Sequence, residues 1–92
     1  MSLPPFAVLG AGRIGQAISH DLLANGAERV LIVDVDVSRS DALVERLGDR
    51  RAEAHSADLG RPESLRPVLS RVASVISAVP YRLNLGLAKE VV

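Results

Sequence analysis

Three glycines, Gly10, Gly12 and Gly15, stand at G-x-G-x-x-G spacing between two different hydrophobic patterns. The short apolar run Phe6-Ala7-Val8-Leu9 stops at the first of them, as a buried strand does. From Arg13 to about Asn25 the pattern turns helical, with Ile14, Ala17, Ile18 and Leu22 on one face. Asn25-Gly26 ends that helix, because both residues tolerate the left-handed conformation used at helix C-termini. A second apolar run, Val30-Leu31-Ile32-Val33, ends at Asp34. Strand, glycine turn, helix, strand and closing acid leave few folds open, and all of them contain a parallel βαβ unit.

The rest of the chain continues the alternation. Ser38 or Ser40 is a candidate cap for a helix with Leu43, Val44 and Leu47 inward, stopped by Gly48. Ala52-Glu53-Ala54-His55-Ser56 is a weak third strand ending near Asp58. Pro62-Glu63 suits a first helical turn, with Leu65, Val68 and Leu69 as the buried face, and Pro67 makes that helix short or kinked. Val72 to Val79 is the fourth strand, ended by Pro80, and a helical pattern runs from Leu83 to Val92. The order βαβαβαβα predicts a Rossmann-type, doubly wound parallel α/β sheet with strand order 3-2-1-4. Such folds usually have six strands, so residues 1–92 are expected to be the N-terminal dinucleotide-binding domain of a longer oxidoreductase, cut before its later strands and substrate domain. An uncovered half-sheet predicts marginal stability or self-association as a homo-oligomer.

Each motif position has a physical task. Gly10 permits a tight turn out of the first strand. Gly12 has no Cβ and lets a pyrophosphate approach the backbone. Gly15 lets the helix pack closely on the sheet. The N–H groups near Arg13 and Ile14 have no helical partner and sit at the positive end of the helix dipole, a ready anion site to which the Arg13 side chain adds charge. Asp34 lies nineteen residues past Gly15, close to the usual spacing of about 20 for the ribose-binding acid. A carboxylate there accepts ribose hydroxyls and repels a 2′-phosphate, so NAD is expected over NADP. Ser38-Arg39-Ser40 is a counter-signal that could hold a phosphate, but it begins four residues past Asp34, late for the usual position. Asp58 is placed to meet the adenine amino group. Ser77, Ala78, Val79 and Pro80 close the fourth strand beside the ligand crevice. The plain alternatives are a βα turn without a ligand, an exposed acid or helix cap at Asp34, a turn cap at Asp58 and a simple strand end at Ser77.

Composition narrows the function classes. Eleven basic residues balance eleven acidic ones, and Arg50, Arg51, Arg61, Arg66 and Arg71 are dispersed among acids. No basic field invites nucleic acid or an anionic membrane. Without cysteine there is no disulfide or thiolate metal site. No apolar run reaches the roughly 18–20 residues that span a bilayer, and Met1 to Pro5 lacks the features of a signal peptide, so a cytoplasmic protein is expected. No metal cluster or catalytic triad is evident. His20, His55 and Tyr81 are acid–base candidates by residue type alone, and the catalytic residues stay unassigned.

On these residues the chain resembles the N-terminal domain of the saccharopine dehydrogenase family, which includes lysine 6-dehydrogenase-like enzymes. The resemblance rests on Val8-Leu9-Gly10-Ala11-Gly12-Arg13-Ile14-Gly15. It rests more specifically on Val75-Ile76-Ser77-Ala78-Val79-Pro80-Tyr81-Arg82-Leu83-Asn84-Leu85, followed by Ala88-Lys89. Ala57-Asp58-Leu59 with Pro62-Glu63-Ser64-Leu65 is similar to the family's third-strand acid and short helix. The resemblance implies a nicotinamide-dependent oxidoreductase acting on the carbon–nitrogen bond of an amino acid, with hydride leaving the carbon that bears the amine. It implies cofactor contacts at Gly10, Gly12, Gly15, Asp34, Asp58 and residues 77–80, and an amino-acid substrate held mostly by other parts of a member's chain. The competing reading is a non-catalytic NAD-sensing module of the potassium-transport type, whose turn is also Gly-Ala-Gly-Arg-like.

Overall fold

The computed structural model describes residues 3–58 and 60–78. Its elements are β1 (Phe6–Leu9), α1 (Arg13–Ala24), β2 (Val30–Asp34), α2 (Val37–Leu47), β3 (Ala52–Ser56), a 3-10 turn (Pro62–Leu65) running into α3 (Arg66–Leu69), and β4 (Ser74–Ser77). All strand pairs are parallel, in the order β3-β2-β1-β4. This is the predicted doubly wound arrangement. Because β2 lies on one side of β1 and β4 on the other, the connections diverge at the C-terminal end of β1.

The two sheet faces bury different residues. Val8, Val30, Ile32 and Ala52 pack with Leu23 of α1, Ala27 and Leu43 of α2. Ala7, Leu9, Leu31 and Val33 point the other way, against Ala57, Leu65 and Val68. The central strands are therefore apolar at every position but the last of β2, and β2 is buried from Val30 to Asp34. Each fully buried large aliphatic side chain contributes about 1.5–3 kcal/mol, so this sandwich is the main source of stability.

The helix stops follow the residues that predict them. Gly26, at φ 89°, follows the α1 cap Asn25, and Gly48 takes φ 59° at the end of α2. Pro67 has the anticipated effect, since the third helical segment is a 3-10 turn leading into a single α-turn.

Two local expectations are corrected. The α2 cap is Asp36, not Ser38 or Ser40: its carboxylate accepts the Ser38 N–H at 2.9 Å, while Ser40 is buried and its hydroxyl donates to the His55 carbonyl at 3.1 Å. Ile14 and Ala17 do not lie on the buried face of α1. Gly15, Ser19 and Leu23 do, and Ile14 is 66% exposed. Gly15 makes the closest approach to the sheet, and a residue one position earlier is rotated about 100° away around the helix. Val79, Pro80, Tyr81 and the predicted helix from Leu83 lie outside the described residues. Among the described residues, no helix is long and apolar enough to cross a membrane.

Candidate functional site

The glycine turn occupies the point where β1 leaves the sheet. The Gly10 N–H donates to the Val33 carbonyl at 2.7 Å, and the Ala78 N–H donates to the Leu9 carbonyl at 2.8 Å. The chain must then rise out of the sheet within one residue. Gly10 does so at φ 106°, a conformation that a side chain at this position would strain. Helix α1 comes back so close that a Cβ on Gly15 would lie 1.9 Å from the Gly10 carbonyl oxygen. The third glycine is thus obligatory for packing.

Gly12 is different. It is the N-cap of α1 in extended backbone, and among the described residues a Cβ there would meet the Arg39 guanidinium alone, 3.6 Å away. The fold does not require a bare backbone at Gly12, whereas a ligand that must approach the chain does. With no cap side chain and no acid in the first turn, the α1 N-terminus keeps its positive potential. Both features fit a pyrophosphate against Gly12 and the Arg13 and Ile14 amides. The Arg13 side chain itself is exposed.

Asp34 closes β2 and is 5% exposed. Its Oδ2 accepts the Ala11 N–H at 3.0 Å and its Oδ1 accepts the Asp36 N–H at 3.0 Å. The carboxylate therefore ties the glycine turn to the loop after β2. Arg39 Nη1 lies 3.8 Å from Asp34 Oδ2. By count along the chain, Ser38-Arg39-Ser40 begins four residues past Asp34, late for this neighbourhood. The Asp36 cap starts α2 immediately after β2, so the first turn of the helix brings Arg39 back over Gly12. The pattern Asp36-Val37-Ser38, an acid two residues before a serine N–H, was the available signal for that cap.

The remaining expected residues fall around this centre to different degrees. Ser77 pairs with Leu9 in the β1–β4 register, and Ser77 and Ala78 flank the mouth of the turn. Val79 and Pro80 lie outside the described residues. Asp58 is exposed and its Oδ1 accepts the Gly60 N–H at 3.0 Å, so the turn role anticipated as the alternative is realised there. It lies next to Ala57, whose N–H donates to the Asp34 carbonyl at 3.2 Å. Neither His20 nor His55 joins the turn. His20 lies exposed on α1, and His55 Nε2 stands 3.4 Å from Glu53 on β3. Glu53 also meets Arg29 at 2.7 Å and Arg71 at 2.9 Å. Burial pushes its carboxyl up, but the bonds from His55 and Arg71 and the two arginine charges hold it below the usual glutamate range. That cluster is a solvated ionic patch. Among the described residues, no group of three histidines or acids could hold a metal ion.

Comparison with known proteins agrees with this geometry. Residues 6–92 match the family model described as the saccharopine dehydrogenase NADP binding domain. The chain is 35% identical over 84 residues to glutamyl-tRNA reductase of Chloroflexus aggregans, covering 88% of this chain and 17% of that protein. It is 38% identical over 76 residues to the NADP(+) shikimate dehydrogenase of Streptomyces avermitilis, covering 78% and 24%. Among solved structures it is similar to apo saccharopine dehydrogenase (L-Glu forming) of Saccharomyces cerevisiae, with TM-score 0.79 and 26% identity over 95% of this chain and 19% of that one. The chain thus spans 17% to 24% of the length of these relatives.

Proposed function

The chain belongs to the saccharopine dehydrogenase NADP-binding domain family, and from that premise we propose that it is the dinucleotide-holding part of an oxidoreductase acting on the carbon–nitrogen bond of an amino acid. The observation that carries the dinucleotide half of this reading is Gly12. Among the described residues, a Cβ on it would have Arg39 alone within 4 Å, at the N-terminus of a helix without a cap side chain.

A bound nicotinamide supplies the hydride acceptor. The chain's own groups do the positioning. The amides of the first α1 turn would hold the pyrophosphate, and Gly12 would admit it. Asp34, through Ala11, holds the turn in place. The strand ends at Leu9 and Ser77 border the same turn. The carbon–nitrogen specificity is supported by the family and by the likeness to saccharopine dehydrogenase. The relatives named shikimate dehydrogenase and glutamyl-tRNA reductase set the alternatives to be tested.

The test is hydride transfer by the whole oxidoreductase that carries this domain, read as the change in nicotinamide absorbance. Lysine and saccharopine serve as amine substrates, with shikimate as a hydroxy-acid control. Turnover with an amine and none with shikimate supports the proposal. Turnover confined to shikimate would replace the carbon–nitrogen assignment. Tight dinucleotide binding with no turnover of any of them, in a protein that carries this domain together with a substrate-binding part, would favour the sensor reading.

A further inference from the structure

We propose that Arg39 is the residue that distinguishes the two nicotinamide dinucleotides, by receiving the 2′-phosphate of NADP; this rests on the glycine turn being the dinucleotide site. Asp34 taken alone argues for NAD, because a free carboxylate at the end of β2 binds ribose hydroxyls and repels a phosphate. Its surroundings change that argument. The Asp34 side chain is only 7% exposed, and both of its oxygens already accept backbone N–H groups, from Ala11 and Asp36. The charge is spent on holding two loops together, and little of it faces outward.

The exposed charge at this spot is the opposite one. Arg39 has a side chain 58% exposed. Nη2 lies 3.6 Å from the place a Gly12 Cβ would occupy, and Nη1 lies 3.8 Å from Asp34 Oδ2. The guanidinium therefore spans the interval between the pyrophosphate position and the ribose position. Asp34 is its one ionic partner among the described residues, beyond hydrogen-bond distance, so its N–H fork is available. A planar guanidinium matches a phosphate with two parallel hydrogen bonds, which a ribose hydroxyl cannot return. Ser40 offers no competing donor, since its hydroxyl is buried on the His55 carbonyl.

The experiment is calorimetric titration of the wild-type protein, Arg39→Ala and Arg39→Lys with NADPH and NADH in parallel. The wild type is expected to bind NADPH more tightly. Arg39→Ala should weaken NADPH roughly ten- to hundred-fold, the scale of hydrogen bonds to a charged group, and leave NADH within about twofold. Arg39→Lys, which keeps the charge without the fork, should fall between. Wild-type preference for NADH, equal losses for both dinucleotides in Arg39→Ala, or unchanged NADPH affinity would each overturn the assignment. If the folded wild type binds neither, the dinucleotide reading fails first, and this assignment falls with it.

Discussion

The Ala11 backbone N–H donates to Asp34 Oδ2 at 3.0 Å, across twenty-three positions of the chain, and so fastens the glycine turn of β1 to the end of β2. The same carboxylate accepts the Asp36 N–H through Oδ1. Removing it leaves two donors without their acceptor in a mostly buried place. A hydrogen bond to a charged group contributes about 1.5–3 kcal/mol. Asp34→Ala is therefore expected to lower unfolding stability by an amount on that scale and to weaken both dinucleotides, whereas Asp34→Asn is expected to be milder. Urea unfolding alongside calorimetric titration checks both parts. Unchanged stability would mean that the carboxylate does not hold the loops.

Gly15→Ala meets the Gly10 carbonyl oxygen at 1.9 Å, which is backbone and cannot swing aside. Helix α1 would have to move away from the sheet. Overpacking of this kind costs about 1–3 kcal/mol, and the displaced first turn would no longer present its amides as it does now. Thermal unfolding should show the loss, and dinucleotide affinity should fall with it.

How much of this was legible in the sequence depended on whether the cause was local. The three glycines and Asp34 are read from spacing because each stands at a fixed offset from a strand end, and the structure gathers all four around the C-terminal ends of β1 and β2. The strand order follows from the alternation of apolar runs with helical patterns. Ile14 shows where that reasoning stops. Its spacing to Ile18 and Leu22 is helical, but spacing cannot say which side of the stripe meets the sheet. The 1.9 Å approach at Gly15 decides that. Counting residues from Asp34 sets Arg39 aside, and only the helix cap at Asp36 shows that the chain doubles back. Spacing picks out Asp34 but not its two backbone donors, because Ala11 and Asp36 carry no side-chain signal for them.

The exposure of Ile14 carries its own prediction. Ile14→Ser should change stability by less than about 0.5 kcal/mol, as surface substitutions usually do. Leu23→Ala, on the buried stripe of the same helix, should cost about 2–5 kcal/mol. Equal losses in denaturant titrations would return Ile14 to the core.

Arg51 gathers the far end of α1. It donates to the Leu23 and Ala27 carbonyls at 3.1 Å each and pairs with Asp49 at 2.7 Å. The hydrogen bonds from the Arg51 side chain and backbone hold the Asp49 carboxyl at about 2, below its ordinary 3.8. Because the folded value is the lower one, this contribution to stability is fully present above about pH 4 and is lost as pH falls toward 2. Melting temperatures across that window should fall less steeply for Asp49→Asn than for the wild type. Arg51→Ala should be less stable than Asp49→Asn at neutral pH, since it also leaves two carbonyls without their donor.

Gly12 separates a ligand site from a mere turn. Among the described residues a Cβ there clashes with nothing, and exchanging an N-cap glycine for alanine costs on the order of 1 kcal/mol. The most direct measurement is calorimetric titration of wild type and Gly12→Ala with NADPH and NADH, with melting curves of both proteins. Melting temperatures within about 10 °C of each other are expected, with clear binding by the wild type and at least about a tenfold loss of affinity in the variant as the new methyl group meets the pyrophosphate. Equal affinity in the two proteins, or no binding by a folded wild type, would contradict it.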